Sequence, residues 1–173
     1  GKSIAWPYFK ERGFSDATLQ AFDLGYSPEA WDAFLKAALK QGYSQEIIEK
    51  AGLVTQKNEE GKVYDRFRNR VIFPIHNVSG KTIAFGARIL RNDAKNQAKY
   101  LNSPETEVYH KSSSLYGIFQ AKNEIRKLDV CYLVEGYTDV ISLHQAGIQN
   151  VVASSGTSLT VEQIRLIGRF TQH

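Results

Sequence analysis

Between residues 130 and 170 the spacing of apolar side chains switches back and forth between two periods. Residues 130–134 are a short apolar run rich in β-branched side chains, as in a buried strand of a parallel sheet. From 137 to 146 the spacing becomes helical, with Val140, Ile141 and Leu143 available for an inner face and Gly147 as terminator. A second strand at 150–153, a small-residue loop at 154–158 and a helix at 160–170 repeat the unit. Thr160 and Gln163 have capping-box spacing, and Ile164 and Ile167, with Leu166 beside them, supply the apolar face. The loop suits either phosphate contact or an ordinary polar connection, since it lacks the glycine spacing and lysine of a phosphate-binding loop.

Upstream, 71–75 and 81–90 read as a β-hairpin closed by the turn residues at 77–80. Gly86, inside the second strand, predicts a bulge or a close backbone approach. Arg66, Arg68 and Arg70 precede the hairpin at a spacing of two, so an extended backbone puts them on one side, with Phe67 and Asn69 opposite. Arg88 extends this basic face.

After the hairpin come a polar loop at 91–96 and a segment at 99–106 restrained by Pro104, in which Asn102 and Ser103 can satisfy loop backbone or a nucleotide. The hydroxyls at 112–114 read as the cap of a helix beginning near Leu115, and Lys111 lies at its amino end, directed at phosphate. The first 55 residues are helical in pattern. Ser15 starts a helix to 22; Ser27-Pro28 starts another, with Trp31, Phe34, Leu35, Ala38 and Leu39 at helical spacing; a third, at 44–50, contributes Ile47 and Ile48. These side chains read as core packed against the hairpin.

Charge changes this picture more than composition does. The chain carries +4 overall, yet residues 57–99 hold ten basic groups against four acidic ones, a balance of +6 that leaves −2 for everything else. Such a concentrated field is the footprint expected for a nucleic-acid partner. A hydrophobic content of 42% suits a globular chain, and no apolar run approaches the ~20 residues needed to span a bilayer. Cys131, the single cysteine, lies in a strand predicted as buried and reads as core of a cytosolic protein. His76, His110, His144 and His173 have no zinc-ligand spacing.

The sharpest chemistry sits at the strand–helix corner Glu135-Gly136-Tyr137-Thr138-Asp139-Val140. Glu135 ends the strand, Gly136 allows the turn, and Asp139 falls one turn into the helix, where it can face the same crevice. Two carboxylates there suit Mg²⁺, which takes few protein oxygens and completes its shell with water and phosphate. An aspartate in a first helical turn also interacts favourably with the helix dipole, its commoner use.

Taken together, the segments at 64–68 and 73–75, Tyr100-Leu101-Asn102-Ser103-Pro104-Glu105-Thr106, His110-Lys111, Leu115-Tyr116-Gly117 and the 135–140 corner resemble the RNA-polymerase domain of bacterial replicative DNA primases over essentially the whole chain. The resemblance implies an α/β fold: a mixed α+β amino-terminal module over 1–128, then the first two βα units of a topoisomerase–primase fold over 129–173. It implies a fragment of a DNA-directed RNA polymerase that synthesises RNA primers for DNA replication. Arg66, Arg68, Arg70, Arg88 and Lys111 would position template or triphosphate. Glu135 and Asp139 would be catalytic and metal-binding, in a site needing further acidic ligands from an Asp-x-Asp strand beyond His173.

The same resemblance implies Mg²⁺ or Mn²⁺ in the intact enzyme and no zinc in this segment. The partners expected are a single-stranded DNA template and ribonucleoside triphosphates, with a replicative helicase engaged through a carboxy-terminal domain that these residues do not include. The expected place is the cytoplasmic replisome, with no membrane. As an excised segment with an incomplete centre, the chain is expected to retain template binding, to be inactive, and to self-associate through an unfinished sheet edge. The alternatives are a non-catalytic nucleic-acid-binding module, or part of a topoisomerase or phosphoryl-transfer nuclease with the same acidic fold.

Overall fold

A computed structural model describes residues 2–56, 61–90, 97–156 and 158–173. The predicted loop at 91–96, Lys57, Glu59, Glu60 and Thr157 lie outside the described residues. The chain is a mixed α/β structure whose centre is the predicted hairpin. Strands β4 (Arg70–His76) and β5 (Thr82–Ile89) pair antiparallel, flanked by β1 (Gly25–Ser27) and β6 (Tyr100–Asn102) in the order β1-β4-β5-β6. A separate ribbon pairs β2 (Val54–Gln56) with β3 (Val63–Asp65). In the carboxy-terminal part, β7 (Tyr132–Val134) and β8 (Val151–Ala153) form a parallel pair. Helices α6 (Tyr137–Gln145) and α7 (Val161–Ile167) follow the two strands in turn, as the repeated unit requires.

The main core ignores the change of architecture along the chain. Phe9 from the first helix, Phe14 and Phe22 on either side of α2 (Asp16–Ala21), Val71, Phe73 and Ile75 from β4, and Tyr137, Val140, Ile141 and Val151 from the carboxy-terminal part belong to one buried cluster. Such continuous apolar burial makes the 129–173 unit and the hairpin lean on each other. A second cluster seats α5 (Ile118–Leu128) against Val152 and Phe170.

Several local expectations are corrected. A first helix, α1 (Lys2–Glu11), forms despite Pro7 in its interior, with Ala5 and Phe9 buried one turn apart. Ser27 does not cap a helix: it closes β1 opposite Arg70, and the next helix, α3 (Ala33–Lys40), begins six residues later. Its start is held from a distance by buried Asp65, which accepts hydrogen bonds from the N–H groups of Phe34 (2.7 Å) and Leu35 (3.0 Å). Leu35 and Ala38 are buried as the periodicity requires, whereas Trp31, Phe34 and Leu39 are exposed; in α4 (Gln45–Lys50), Ile48 is buried and Ile47 exposed. These two short helices form their own small cluster with Val54, so only one stripe of each finds apolar neighbours.

In the carboxy-terminal part, β7 is parallel but not buried: Tyr132 is 52% and Leu133 41% exposed, while all three residues of β8 are buried. Cys131, half-buried and not in the core interior, has its thiol pushed up to about 11 by desolvation. Helix α7 ends at Ile167, earlier than its apolar pattern predicts, and Ile164 is 53% exposed, while Gln163 is fully buried. Gln163 closes the predicted capping box and donates Nε2 to the carbonyls of Lys111 (3.2 Å) and Ser114 (2.9 Å). A polar side chain wins the inner position because it satisfies buried carbonyls that an isoleucine would orphan.

His144, on α6, meets Phe22 edge-on at 5.0 Å, and burial lowers its pKa from the ordinary 6.5. The unfolded chain therefore takes up the proton more readily than the fold, so stability is full above the ordinary value and falls as pH drops through it. The thermal midpoint is expected to decline between roughly pH 7 and pH 5, and His144→Phe to remove part of that slope. Melting curves showing the same slope with and without the imidazole would refute this.

Candidate nucleic-acid interface and acidic corner

Glu135 follows β7 and is exposed; Gly136 precedes α6, and Asp139, also exposed, occupies the helix's first turn. Gly136 has φ −124°, which any residue adopts, so turn geometry is not its reason for being glycine. A Cβ there would stand 3.3 Å from Asp139 Oδ2, the atom that accepts the Gly136 N–H at 3.2 Å. Asp139 thus fastens the helix start, the local role its position allowed, and Glu135 stands exposed at the strand end. The carboxylate is the donor type that Mg²⁺ or Mn²⁺ takes. Among the described residues no group of three or more His, Cys, Asp or Glu side chains is placed to hold a metal ion.

The arginine row is corrected. Residues 66–69 form a turn, with Asn69 at φ +53°, so the spacing of two does not translate into a common side. Three arginines, Arg66 in the turn, Arg70 at the start of β4 and Arg88 on β5, instead meet the segment that carries β6. Arg66 donates Nη2 to the Asn102 carbonyl at 2.9 Å, Arg70 donates Nη1 to the Lys99 carbonyl at 3.2 Å, and Arg88 stands opposite Tyr100 in the ladder. Arg88 also lies over the Tyr8 ring, its guanidinium carbon 5.1 Å from the centroid. Burial pulls Arg66 and Arg70 below the usual arginine value, though both stay protonated at neutral pH. Arg70 is only 5% exposed, which makes it a support for β6, whereas the half-buried Arg66 and Arg88 each keep a buried Nε without a hydrogen-bond partner. Arg68 goes elsewhere, stacked over Trp31 at 4.4 Å and Tyr64 at 5.0 Å.

Lys111 sits in a short 3₁₀ turn, Lys111–Ser113. Its N–H donates to Glu105 Oε1 at 2.9 Å, a bond that, with His110, holds the Glu105 carboxyl below its usual range, and its carbonyl is fixed by Gln163. The hydroxyls predicted to cap a helix do something else: those of Ser113 and Ser114 donate back to the His110 carbonyl, and α5 starts only after Gly117.

One connection joins the basic strand to the acidic corner, and the sequence did not disclose it. Tyr137, next to Gly136, donates its hydroxyl to Asn102 Oδ1 at 2.7 Å, while the Asn102 carbonyl accepts from Arg66 and its Nδ2 reaches the Ser155 carbonyl at 3.4 Å. The Tyr137 ring lies against the hairpin, stacked on Phe73 at 5.3 Å, and a Cβ on Gly86 would meet it at 2.4 Å. Gly86 is therefore the close approach its place in a strand predicts; the register shift lies at Ile75/His76 instead. That glycine was the available signal for a packed ring, but not for which one.

Comparison with known proteins follows the same division. Residues 2–122 match the family model described as DNA primase catalytic core, N-terminal domain, and residues 129–173 match a Toprim domain. The DNA primase of Clostridium acetobutylicum is 49% identical over 169 residues, 97% of this chain and 27% of that protein. The Escherichia coli primase catalytic core superimposes with a TM-score of 0.89 at 40% identity, covering 99% of this chain and 53% of that one. A DnaG primase catalytic domain bound to ssDNA superimposes with a TM-score of 0.85 at 40% identity, covering 97% and 51%. The chain thus spans about a quarter of the length of such curated relatives. Among the described residues no helix is long and apolar enough to cross a membrane.

Proposed function

The chain belongs to the DNA primase catalytic core family, and from that premise we propose that it is the nucleic-acid-binding part of such a core, taking single-stranded DNA along the surface around β6. One expectation is corrected by the same matches. The expected fragment of a DNA-directed RNA polymerase is not what the residues match: they match the N-terminal domain of a DNA primase catalytic core over 2–122 and a Toprim domain over 129–173. Of the two alternatives, the nucleic-acid-binding module fits better than the topoisomerase or nuclease with the same acidic fold.

The observation that carries the proposal is the convergence of Arg66, Arg70 and Arg88 on β6, coupled through Asn102 and Tyr137 to the Glu135 corner. Arg70 steadies the β6 backbone. Arg66 and Arg88, each half-buried with a guanidinium that keeps its charge, and Lys111 on its fixed turn would take phosphate oxygens of DNA or of a ribonucleoside triphosphate. Arg68 would add its charge beside the Trp31 and Tyr64 rings. In the parent protein, read as a nucleotidyltransferase, Glu135 and Asp139 would hold Mg²⁺ or Mn²⁺, which neutralises phosphate charge. The chain's own share is to keep strand, ring and carboxylate in one frame: the Tyr137 ring and hydroxyl fix the helix start that carries Asp139.

Fluorescence anisotropy with a labelled oligothymidylate tests this. Affinity is expected to fall with salt, and Lys111→Ala to make the log–log salt slope shallower by about 0.7, the value for one phosphate contact on a single strand. Absence of binding at low salt, or a slope indifferent to Lys111, would overturn the reading.

A further inference from the structure

A concavity of about 520 Å³ lies between the hairpin turn, the turn at Ser113, and the ends of α5 and α7. Its lining includes none of Arg66, Arg70, Arg88, Glu135 or Asp139. Val78, Ile83, Leu115, Ile118 and Leu166 give it an apolar lining, Lys122 gives it an anchored cation and Arg169 an exposed one. Among the described residues that line it, none is Asp or Glu.

Lys122 is held in place, and both cations have donor capacity left. Lys122 Nζ donates one proton to the Val78 carbonyl at 2.7 Å, which anchors the ammonium at the rim and leaves two N–H groups. The Arg169 guanidinium carbon lies 5.7 Å from the Phe170 ring centroid. Asn77 Oδ1 accepts from Ser79 N, Ser79 Oγ and Lys81 N, so its amide Nδ2 is the side left for a ligand. His76 turns Nε2 to Asp23 at 3.0 Å, and that carboxylate is engaged by the imidazole. Two cations in a lining that holds no Asp or Glu, with the nearby Asp23 engaged by His76, favour a phosphoryl group, and an apolar lining of this size suits a flat organic body.

We propose that this concavity binds a small phosphorylated molecule, in chemical class a nucleoside phosphate, with the phosphoryl group at Lys122 and Arg169 and the body against Val78, Ile83 and Leu166. The site is separate from the β6 surface, so it does not depend on the nucleic-acid reading. Titration of the ¹⁵N-labelled chain with adenosine monophosphate should move the amides of residues 77–79, 113–115 and 166–169, with an added oligothymidylate failing to displace it. Arg169→Ala and Lys122→Ala should each weaken binding about tenfold, the loss of one charged hydrogen bond. Lys127→Ala, on the same helix but outside the lining, should leave it unchanged, with thermal melts confirming that each variant folds. No shifts at millimolar ligand, shifts confined to the Arg66, Arg88 and Glu135 surface, or equal binding of unphosphorylated adenosine would each overturn the proposal. The shift map on the unsubstituted chain decides the matter even if a variant fails to fold.

Discussion

Gly86→Ala is expected to destabilise the chain by roughly 3 kcal/mol, the upper range for forcing an extra carbon into a packed core. The added Cβ would stand 2.4 Å from two ring carbons of Tyr137 and 2.6 Å from its oxygen. That ring has nowhere to go. It is stacked on Phe73, packed edge-on against Tyr116 at 4.6 Å, and tied by its hydroxyl to Asn102. On the other side, Gly86 is fixed by its pairing with Phe73 and Asn102 in the central sheet. Urea unfolding measures the loss, and the pair of substitutions identifies its cause. Tyr137→Ala alone should cost about 3–5 kcal/mol through the cavity it leaves. Added to Gly86→Ala it should cost far less than the sum, because one change removes what the other collides with. A midpoint for Gly86→Ala within experimental error of the parent chain would mean that the sheet and ring can separate freely, and would remove the coupling between β6 and the acidic corner on which the binding surface depends.

The second large effect concerns chemistry and not folding. In the intact parent protein, Glu135→Gln is expected to lower divalent-dependent nucleotidyl transfer by about a hundredfold or more, the scale of several kcal/mol of lost charge stabilisation. The unfolding free energy should stay unchanged, because Glu135 is exposed. Asp139→Asn makes the contrast: the amide oxygen can still accept the Gly136 N–H, so the helix start persists while the negative charge goes. Loss of activity in Asp139→Asn with an unaltered melting curve would assign the carboxylate to the ion. Retained activity would leave it as a cap. Transfer by Glu135→Gln within about twofold of the parent, over a range of Mg²⁺ and Mn²⁺, would remove Glu135 from the metal site.

How far the sequence reached depended on whether the relevant physics was local. The parallel βα units and the hairpin were legible because β-branched runs, helical spacing and turn residues act over a few neighbours. The acidic corner was legible for the same reason, as a strand end, a glycine and a carboxylate one turn later. The arginine row was misread because a spacing of two means a shared side only on an extended backbone, and Asn69 turns the chain there. Likewise, Ile164 and Leu133 look like core by composition, but apolarity cannot say whether a neighbour covers them, and none does fully. Gln163 shows the converse, a polar residue drawn inside by two carbonyls about fifty positions away.

By itself, then, the sequence determined the alternation of strands and helices, the concentration of positive charge at 57–99, and the placement of Glu135 and Asp139 on either side of the Gly136 corner, all consequences of short-range spacing and composition. Only the tertiary structure decided which charges meet. Arg66, Arg70 and Arg88 come from separate places in the chain and converge because β4, β5 and β6 pair in one register, and Tyr137 links them to the corner because Gly86 leaves room for its ring. Contacts between residues tens of positions apart are fixed by packing and hydrogen-bond satisfaction across elements, and neither leaves a periodic trace in the sequence.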